Sequence, residues 1–516
     1  MASDVVNLGQ PIASEGLSNP GRTALNDGER KTLAELLTAP KPRRQETPYD
    51  ALEEDNREIT AGYTYLGQFI NHDITPSTRP KPGSGPPPSA ALDLGALYGR
   101  GPDEQASIYC QPNMMPEGMS RWHLRLSNAI GGTDVNIRDF YRFPEDKPEI
   151  GELRNDENVI IAQLHSSFSM FHNRMLSDIA HERFDGVFGP DAFKAARTAV
   201  RWHYQWLVLW DFLPRVCGGS AEIRTLLADL GKASPPEKAF TLFDRLRCAG
   251  PYIPDEFSRA VFRFGHAMVR PTYFLNDRLR GPSDDTRPQI HEPIPFLDPN
   301  GGFHKELDLR GRQKIPRQWG VNWPYFFPFD VPLAPWDDEA TLADGVAPEA
   351  FPGPQASMLI LPRLLRVFGG LPPQGDSGPP SLIERDLLAG EGLPAAQAVA
   401  AKAGINLSDG PRLLELPQNL RTTTPLFYYV LKEADETMRG RCLGKLGRRV
   451  VIETLVGVLW RDPESFLSQD ANWRPTAPAG GAVRGQPYTM AHFLKYAFDL
   501  EANPVVPKAF DVPPAR

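Results

Sequence analysis

The chain has 516 residues, with 64 acidic against 56 basic side chains, a formal charge of −8, 53 prolines and only 4 cysteines. No basic block or aromatic-interleaved basic stripe stands out, which argues against a nucleic-acid partner. No apolar run reaches the roughly 18 residues of a spanning helix, and Cys110, Cys217, Cys248 and Cys442 form no CxxC pair of a zinc site or disulfide scaffold.

In chain order, residues 1–24 read as a polar, turn-rich arm, 25–500 as one large domain and 501–516 as a tail. The start, "MASDVVNLGQPIASEG", lacks the basic start and apolar core of a signal peptide, so a cytoplasmic protein is expected. Helical periodicity appears at 28–38 and 60–73 and is strongest over 158–184. It continues over 193–216 with aromatic residues densely placed. Residues 282–355, dominated by Pro, Gly, Asp and Trp, read as a long irregular insertion. Helices are expected again in "SMLILPRLLRVF", "TPLFYYVLKEADETM" and "GRRVVIETLVGVLW". Alternating strand patterns are scarce, so the fold class is mainly α, with long loops and few strands.

Three stretches carry candidate chemistry. In "YLGQFINHDITPSTRP", Tyr65, Phe69 and His72 share one helical face, Gln68 lies one turn before His72, and Asp73 points elsewhere. A neutral histidine on an apolar face is either a hydrogen-bonded core residue or a general acid–base. In "GELRNDENVIIAQLHSSFSMFHNRM", Arg154 and Glu157 sit three apart, as an ion pair of a first helical turn or as site residues. His165 and His172, seven apart, read as structural, since that step is too long for one metal. In "VFRFGHAMVRPTY", Gly265 before His266 lets something flat approach the backbone, with Arg263 three positions earlier.

Taken together, "GQFINHD", "LRNDENVIIAQLHSSFSMFHNRM" and "FRFGH" resemble, in order and wording, the motifs of the animal-type haem peroxidases (the peroxidase–cyclooxygenase superfamily). "SLIERDLLAGEGLPAAQAVA" looks like a degraded fourth signature, and "TPLFYYVLKEAD" and "GRRVVIETLVGVLWRDPESFL" are similar to segments of the bacterial branch. The resemblance spans about residues 25–500 and implies a single large helical haem-peroxidase domain.

That resemblance implies haem b as cofactor, hydrogen peroxide as oxidant and a small organic donor or halide as reductant, through a ferryl intermediate. His72 matches the distal base, Arg154 the distal arginine and Gln68 the glutamine that holds distal water or halide. His266 matches the proximal iron ligand and Arg263 an arginine beneath the haem. Glu157 matches the glutamate that forms an ester to a haem methyl. Asn71 stands where the second such acid is expected, so at most one ester link forms, and Asn158 excludes a methionine sulfonium link. Asp73, Ser89, the carbonyl of Ala91 and Asp93 match calcium ligands, with Gly95 in place of a hydroxyl residue. In the fourth signature Asp386 stands for the asparagine behind the proximal histidine, and Ala389 for a propionate-binding arginine. The alternatives are a fatty-acid dioxygenase of the same fold and a haem-binding protein with little turnover. Arg263 occupies the position of the dioxygenases' radical tyrosine and argues against the first; the His72–Arg154 pair, unnecessary for merely holding haem, argues against the second.

Overall fold

Where apolar residues recur every three to four positions, helices form, and their ends are set by local caps. The structure is a computed structural model describing residues 25–38, 54–75, 89–111, 119–129, 138–143, 146–242, 251–270, 273, 275, 309, 311, 314–315, 319–329, 354–364, 382–475 and 488–498. The expected arm and tail, and most of the 282–355 insertion, lie outside these residues.

Helix α1 (Asp27–Leu37) begins at a reciprocal cap: the Asn26 side chain accepts from Glu29 N and the Glu29 carboxylate from Asn26 N, both at 2.9 Å. Strand β1 (Asp55–Thr60) runs directly into α2 (Ala61–Ile74), which carries the first candidate motif. The start of α2 is pinned by Ala61 N donating to Gln355 O and Gly62 N to Phe326 O. A Cβ at Gly62 would lie 2.6 Å from that Phe326 oxygen, so only glycine permits the approach.

The short α3 (Gly95–Tyr98) and the antiparallel pair β2 (Leu126–Ala129) and β3 (Arg138–Phe140) precede α4 (Val159–Arg183). Asn158 caps α4, its side chain accepting from Ile160 N at 3.1 Å and Ile161 N at 2.9 Å. From Val159 to Ser169 every residue of α4 is buried, the mark of a central helix. On one side Phe69 of α2 stacks on Phe168 at 4.4 Å; on another Phe493 of the last helix stacks on Phe171 at 4.0 Å.

Helix α5 (Pro190–Leu207) packs along α4 and passes through a π-turn, Val208–Phe212, into α6 (Leu213–Cys217). Sequence periodicity predicts one unbroken helix here. Pro214 supplies no N–H to the Trp210 carbonyl and its ring crowds it, and the π-turn absorbs that misfit. Helices α7 (Ala221–Lys232) and α8 (Asp255–Arg259) follow, then a 3₁₀ segment, Val261–Met268, bearing the third motif.

The helix expected in "SMLILPRLLRVF" does not form in its described part. Strand β4 (Ala356–Met358) instead pairs antiparallel with β1, Asp55 opposite Met358, and Ile360 N and Leu364 N donate to the carbonyls of Gly440 and Leu37. A short apolar run does not distinguish strand from helix, and Pro362 favours extended backbone before it. Beyond it come α9 (Leu382–Ala389), α10 (Ala396–Lys402), α11 (Gln418–Thr422), α12 (Leu426–Met438), α13 (Lys445–Arg461), α14 (Phe466–Gln469) and α15 (Met490–Phe498). The fold is mainly α, with two two-stranded ribbons among the described residues. No described helix is long and apolar enough to cross a membrane, and Cys110, Cys217 and Cys442 are buried free thiols.

Candidate active site

The C-terminal turn of α2 and the 3₁₀ turn Leu153–Asp156 meet to form one half of the site. His72 is 5% exposed, and its Nδ1 lies 2.8 Å from Asn155 Oδ1. Burial first, then the Arg154 cation and His266, holds the His72 imidazole well below its ordinary value, so it is neutral near pH 7. Its Nε2 lies 3.9 Å from Glu157 Oε2, while Gln68 Nε2 donates to the same carboxylate oxygen at 3.4 Å. Asn158 Nδ2 donates to Gln68 Oε1 at 3.3 Å, so the helix cap also orients the glutamine.

Arg154 lies in the 3₁₀ turn rather than in α4, and its ion-pair partner is Glu152 at 2.9 Å, not Glu157. Its Nη2 also donates to the carbonyls of His72 at 2.9 Å and Thr75 at 2.6 Å, at the C-terminal end of α2. Its Nε is buried and has no acceptor among the described residues.

The other half of the site is the 3₁₀ segment Val261–Met268 against α9. His266 Nδ1 lies 2.6 Å from Asp386 Oδ2, and Arg263 Nη1 donates to Asp386 Oδ1 at 2.6 Å. Asp386 is completely buried. Burial alone would raise its carboxyl, but His266 and Arg263 outweigh that and hold it below its ordinary value. The alignment that put Asp386 behind His266 thus corresponds to a direct contact across 120 residues of sequence. Ala389 places only its carbonyl in a local contact, accepting from Arg259 Nε at 2.8 Å.

These residues suit a haem. With Nδ1 engaged by Asp386, Nε2 is the ring nitrogen that would face a bound metal. The His266 side chain stays 29% exposed within a segment whose other side chains are largely buried, and a Cβ on Gly265 would meet nothing within 4 Å. On the other side, the buried Arg154 Nε is a donor without a hydrogen-bond partner among the described residues.

The residues matched to calcium gather beside α2, on the side away from His72. Asp73 is fully buried, its two oxygens accepting from Leu94 N and Ala96 N at 3.2 Å each. Ser89 Oγ donates to Asp93 Oδ2 at 2.9 Å and lies 3.4 Å from the Ala91 carbonyl. Burial, then the neighbouring Asp93 carboxylate, pushes Asp73 up to about 8. Two carboxylates, a hydroxyl and a carbonyl so placed suit a hard divalent cation. Leu94 sits in the left-handed region (φ 60°), backbone strain of the kind found in ligand loops. A Cβ at Gly95 would lie 3.2 Å from Asp93 Oδ1, so position 95 is at the cluster and contributes no hydroxyl to it.

The structure thus brings together Gln68, His72, Arg154 and Glu157, then His266, Arg263 and Asp386, then Asp73, Ser89, Ala91 and Asp93. Sequence reasoning missed Asn155, on the Nδ1 side of His72, although it sits beside Arg154 in the same motif. Of the two histidines of α4, His172 is held between Tyr98 Oη at 3.0 Å and the Trp122 carbonyl at 3.2 Å, while His165 contacts Asn155 at 3.1 Å.

The sequence model of the family described as animal haem peroxidase matches residues 89–300, which include the Ser89–Asp93 loop, Arg154, Glu157, Arg263 and His266. Residues 89–300 are thus similar to an animal haem peroxidase domain. Over 146 residues the chain is 28% identical to eosinophil peroxidase of Homo sapiens, a match covering 28% of this chain and 18% of that protein. Over 154 residues it is 30% identical to thyroid peroxidase of Canis lupus familiaris, covering 30% of this chain and 14% of that protein. The matches therefore span under a fifth of these relatives' length. Its fold is that of peroxidase A from Dictyostelium discoideum (TM-score 0.52, 14% identity, 96% of this chain and 94% of that chain). A fatty acid alpha-dioxygenase from Oryza sativa shares the fold equally (TM-score 0.52, 13% identity, 91% and 75%).

Proposed function

We propose that the chain is a haem peroxidase of the bacterial branch, reducing hydrogen peroxide and oxidising a small organic donor or a halide. The observation that carries this reading is a neutral, buried His72 beside Arg154, within electrostatic reach of a second histidine, His266, that is backed by a carboxylate. Haem b would be held by His266 and would supply the redox chemistry that side chains lack.

The protein's own steps are proton and charge handling. His72 Nε2 takes a proton from one peroxide oxygen and returns it to the other, so that water leaves. Arg154, fixed by three acceptors, is a preorganised cation for the charge that develops as the O–O bond breaks. Gln68, oriented by Asn158, would position the water or halide beside His72. Glu157 is the group for a single ester link. Calcium, held by Asp73, Ser89, the Ala91 carbonyl and Asp93, would neutralise the paired carboxylates and fix the end of α2 that carries His72. In each turnover peroxide accepts two electrons and two protons, giving two waters, and the donor supplies the electrons.

The dioxygenase reading has the shared fold in its favour and position 263 against it. Arg263 is committed to Asp386, and no phenol stands there. The test is the haem-loaded protein assayed in parallel with peroxide plus a phenolic dye, and with oxygen plus palmitic acid. Peroxide-dependent dye oxidation without oxygen uptake is expected. Oxygen uptake driven by the fatty acid in place of dye oxidation would replace the peroxidase with the dioxygenase.

A further inference from the structure

An acid–base histidine is useful only in the correct tautomer, and here an amide stands where that choice is made. Asn155 is fully buried between two histidines. Its Oδ1 lies 2.8 Å from His72 Nδ1, and its Nδ2 lies 3.1 Å from His165 Nδ1. An amide oxygen only accepts, so His72 Nδ1 must carry the hydrogen and Nε2, on the Glu157 side, must be the bare base. An amide nitrogen only donates, so His165 Nδ1 must be bare and its hydrogen must sit on Nε2. Turning the amide end for end would reverse both rings and leave His72 presenting an N–H where a base is needed.

We propose that Asn155 is a positioning residue that, anchored by His165, selects the Nδ1–H tautomer of His72. This deepens the peroxidase reading and rests on it for its catalytic meaning. His165 is 1% exposed, and its ring lies among Phe69 at 6.3 Å and Phe140 at 5.8 Å, surroundings that favour a neutral acceptor. Asn155 also shares a 3₁₀ turn with Arg154, so one turn delivers both the cation and the group that sets the base. His165, structural by its position in the core of α4, thereby acts on the site at one remove.

The test uses the full chain with 15N-labelled histidine rings, loaded with haem, reduced and held as its carbon monoxide complex so that the iron is diamagnetic. Ring nitrogens of His72 and His165 are assigned by their loss in His72→Gln and His165→Gln. The parent should show His72 as Nδ1–H and His165 as Nε2–H. Asn155→Asp, which accepts on both sides, should leave His72 unchanged and turn His165 to Nδ1–H. Asn155→Leu should release His72 from a single tautomer and slow the reaction with peroxide about 100-fold, within the range of a general-base contribution, while Asn155→Asp lies above it. Haem uptake by both variants reports that they fold. His72 as Nε2–H in the parent, or an Asn155→Leu protein with unchanged tautomer and rate, would overturn the proposal. The expected tautomers in a parent whose haem ignores peroxide would uphold the assignment and retire the peroxidase reading instead.

Discussion

The two halves of the site hold their histidines by the same nitrogen with different chemistry. On the distal side His72 Nδ1 meets an amide, Asn155, at 2.8 Å; on the proximal side His266 Nδ1 meets a carboxylate, Asp386, at 2.6 Å. An amide fixes a tautomer without adding charge, which suits a neutral base that must both take and release a proton. A carboxylate pulls on the N–H and gives the ring imidazolate character, which enriches an iron ligand and stabilises its higher oxidation states. Arg263 shares that carboxylate, so the proximal side carries a balanced ion pair while the distal base stays neutral beside its own cation, Arg154.

The largest effect that would break this comparison is loss of the proposed proximal ligand. His266→Ala is expected to abolish the Soret band after haem loading; an unaltered band would place the iron elsewhere. Asp386→Asn makes the two halves alike. It should raise the iron reduction potential and lower haem affinity or turnover about 10- to 100-fold, while leaving the His72 tautomer unchanged. A potential equal to the parent's would show that Asp386 acts only as a packing residue.

Calcium, proposed at Asp73 and Asp93, would act on the distal half alone, because Asp73 and His72 are neighbours at the end of α2. With the ion at about 100 times its Kd, binding stabilises by about 2.7 kcal/mol, so chelation should lower the thermal midpoint and slow the peroxide reaction without moving the iron potential. A midpoint indifferent to chelator and to Asp93→Ala would remove calcium from the account.

Acid gives the most gradual effect. Burial holds His165 and His172 at about 3 and His203 at about 4, below the ordinary value of 6.5. Below about pH 6.5 the unfolded chain therefore binds protons that the folded chain refuses. Stability is full above that pH and falls as pH drops toward 4, each histidine contributing up to about 1.4 kcal/mol per pH unit. Thermal midpoints that stay level from pH 7 to 4.5 would contradict this.

Much of the candidate site's grouping was legible because three of its parts are contiguous motifs: Gln68 to Asp73, Arg154 to Glu157 and Arg263 to His266. The long helices were legible for a related reason, since their periodicity is local. Asp386 could be reached only through resemblance, because its contact with His266 closes over 120 residues, and its burial has no local signature. Asn155 stayed silent between two conspicuous residues for the same reason: its partners lie 83 residues before it and 10 after it. Strand β4 was misread as helix because its apolar run is too short to have a period, and its pairing with β1 joins residues about 300 apart.

The most direct measurement is the absorption spectrum of the haem-loaded protein after rapid mixing with one equivalent of hydrogen peroxide, beside His72→Ala. A fast change of the Soret band is expected in the parent, slowed about 100- to 10,000-fold in the variant. A parent Soret band that peroxide leaves unchanged, or equal rates in the two proteins, would contradict it.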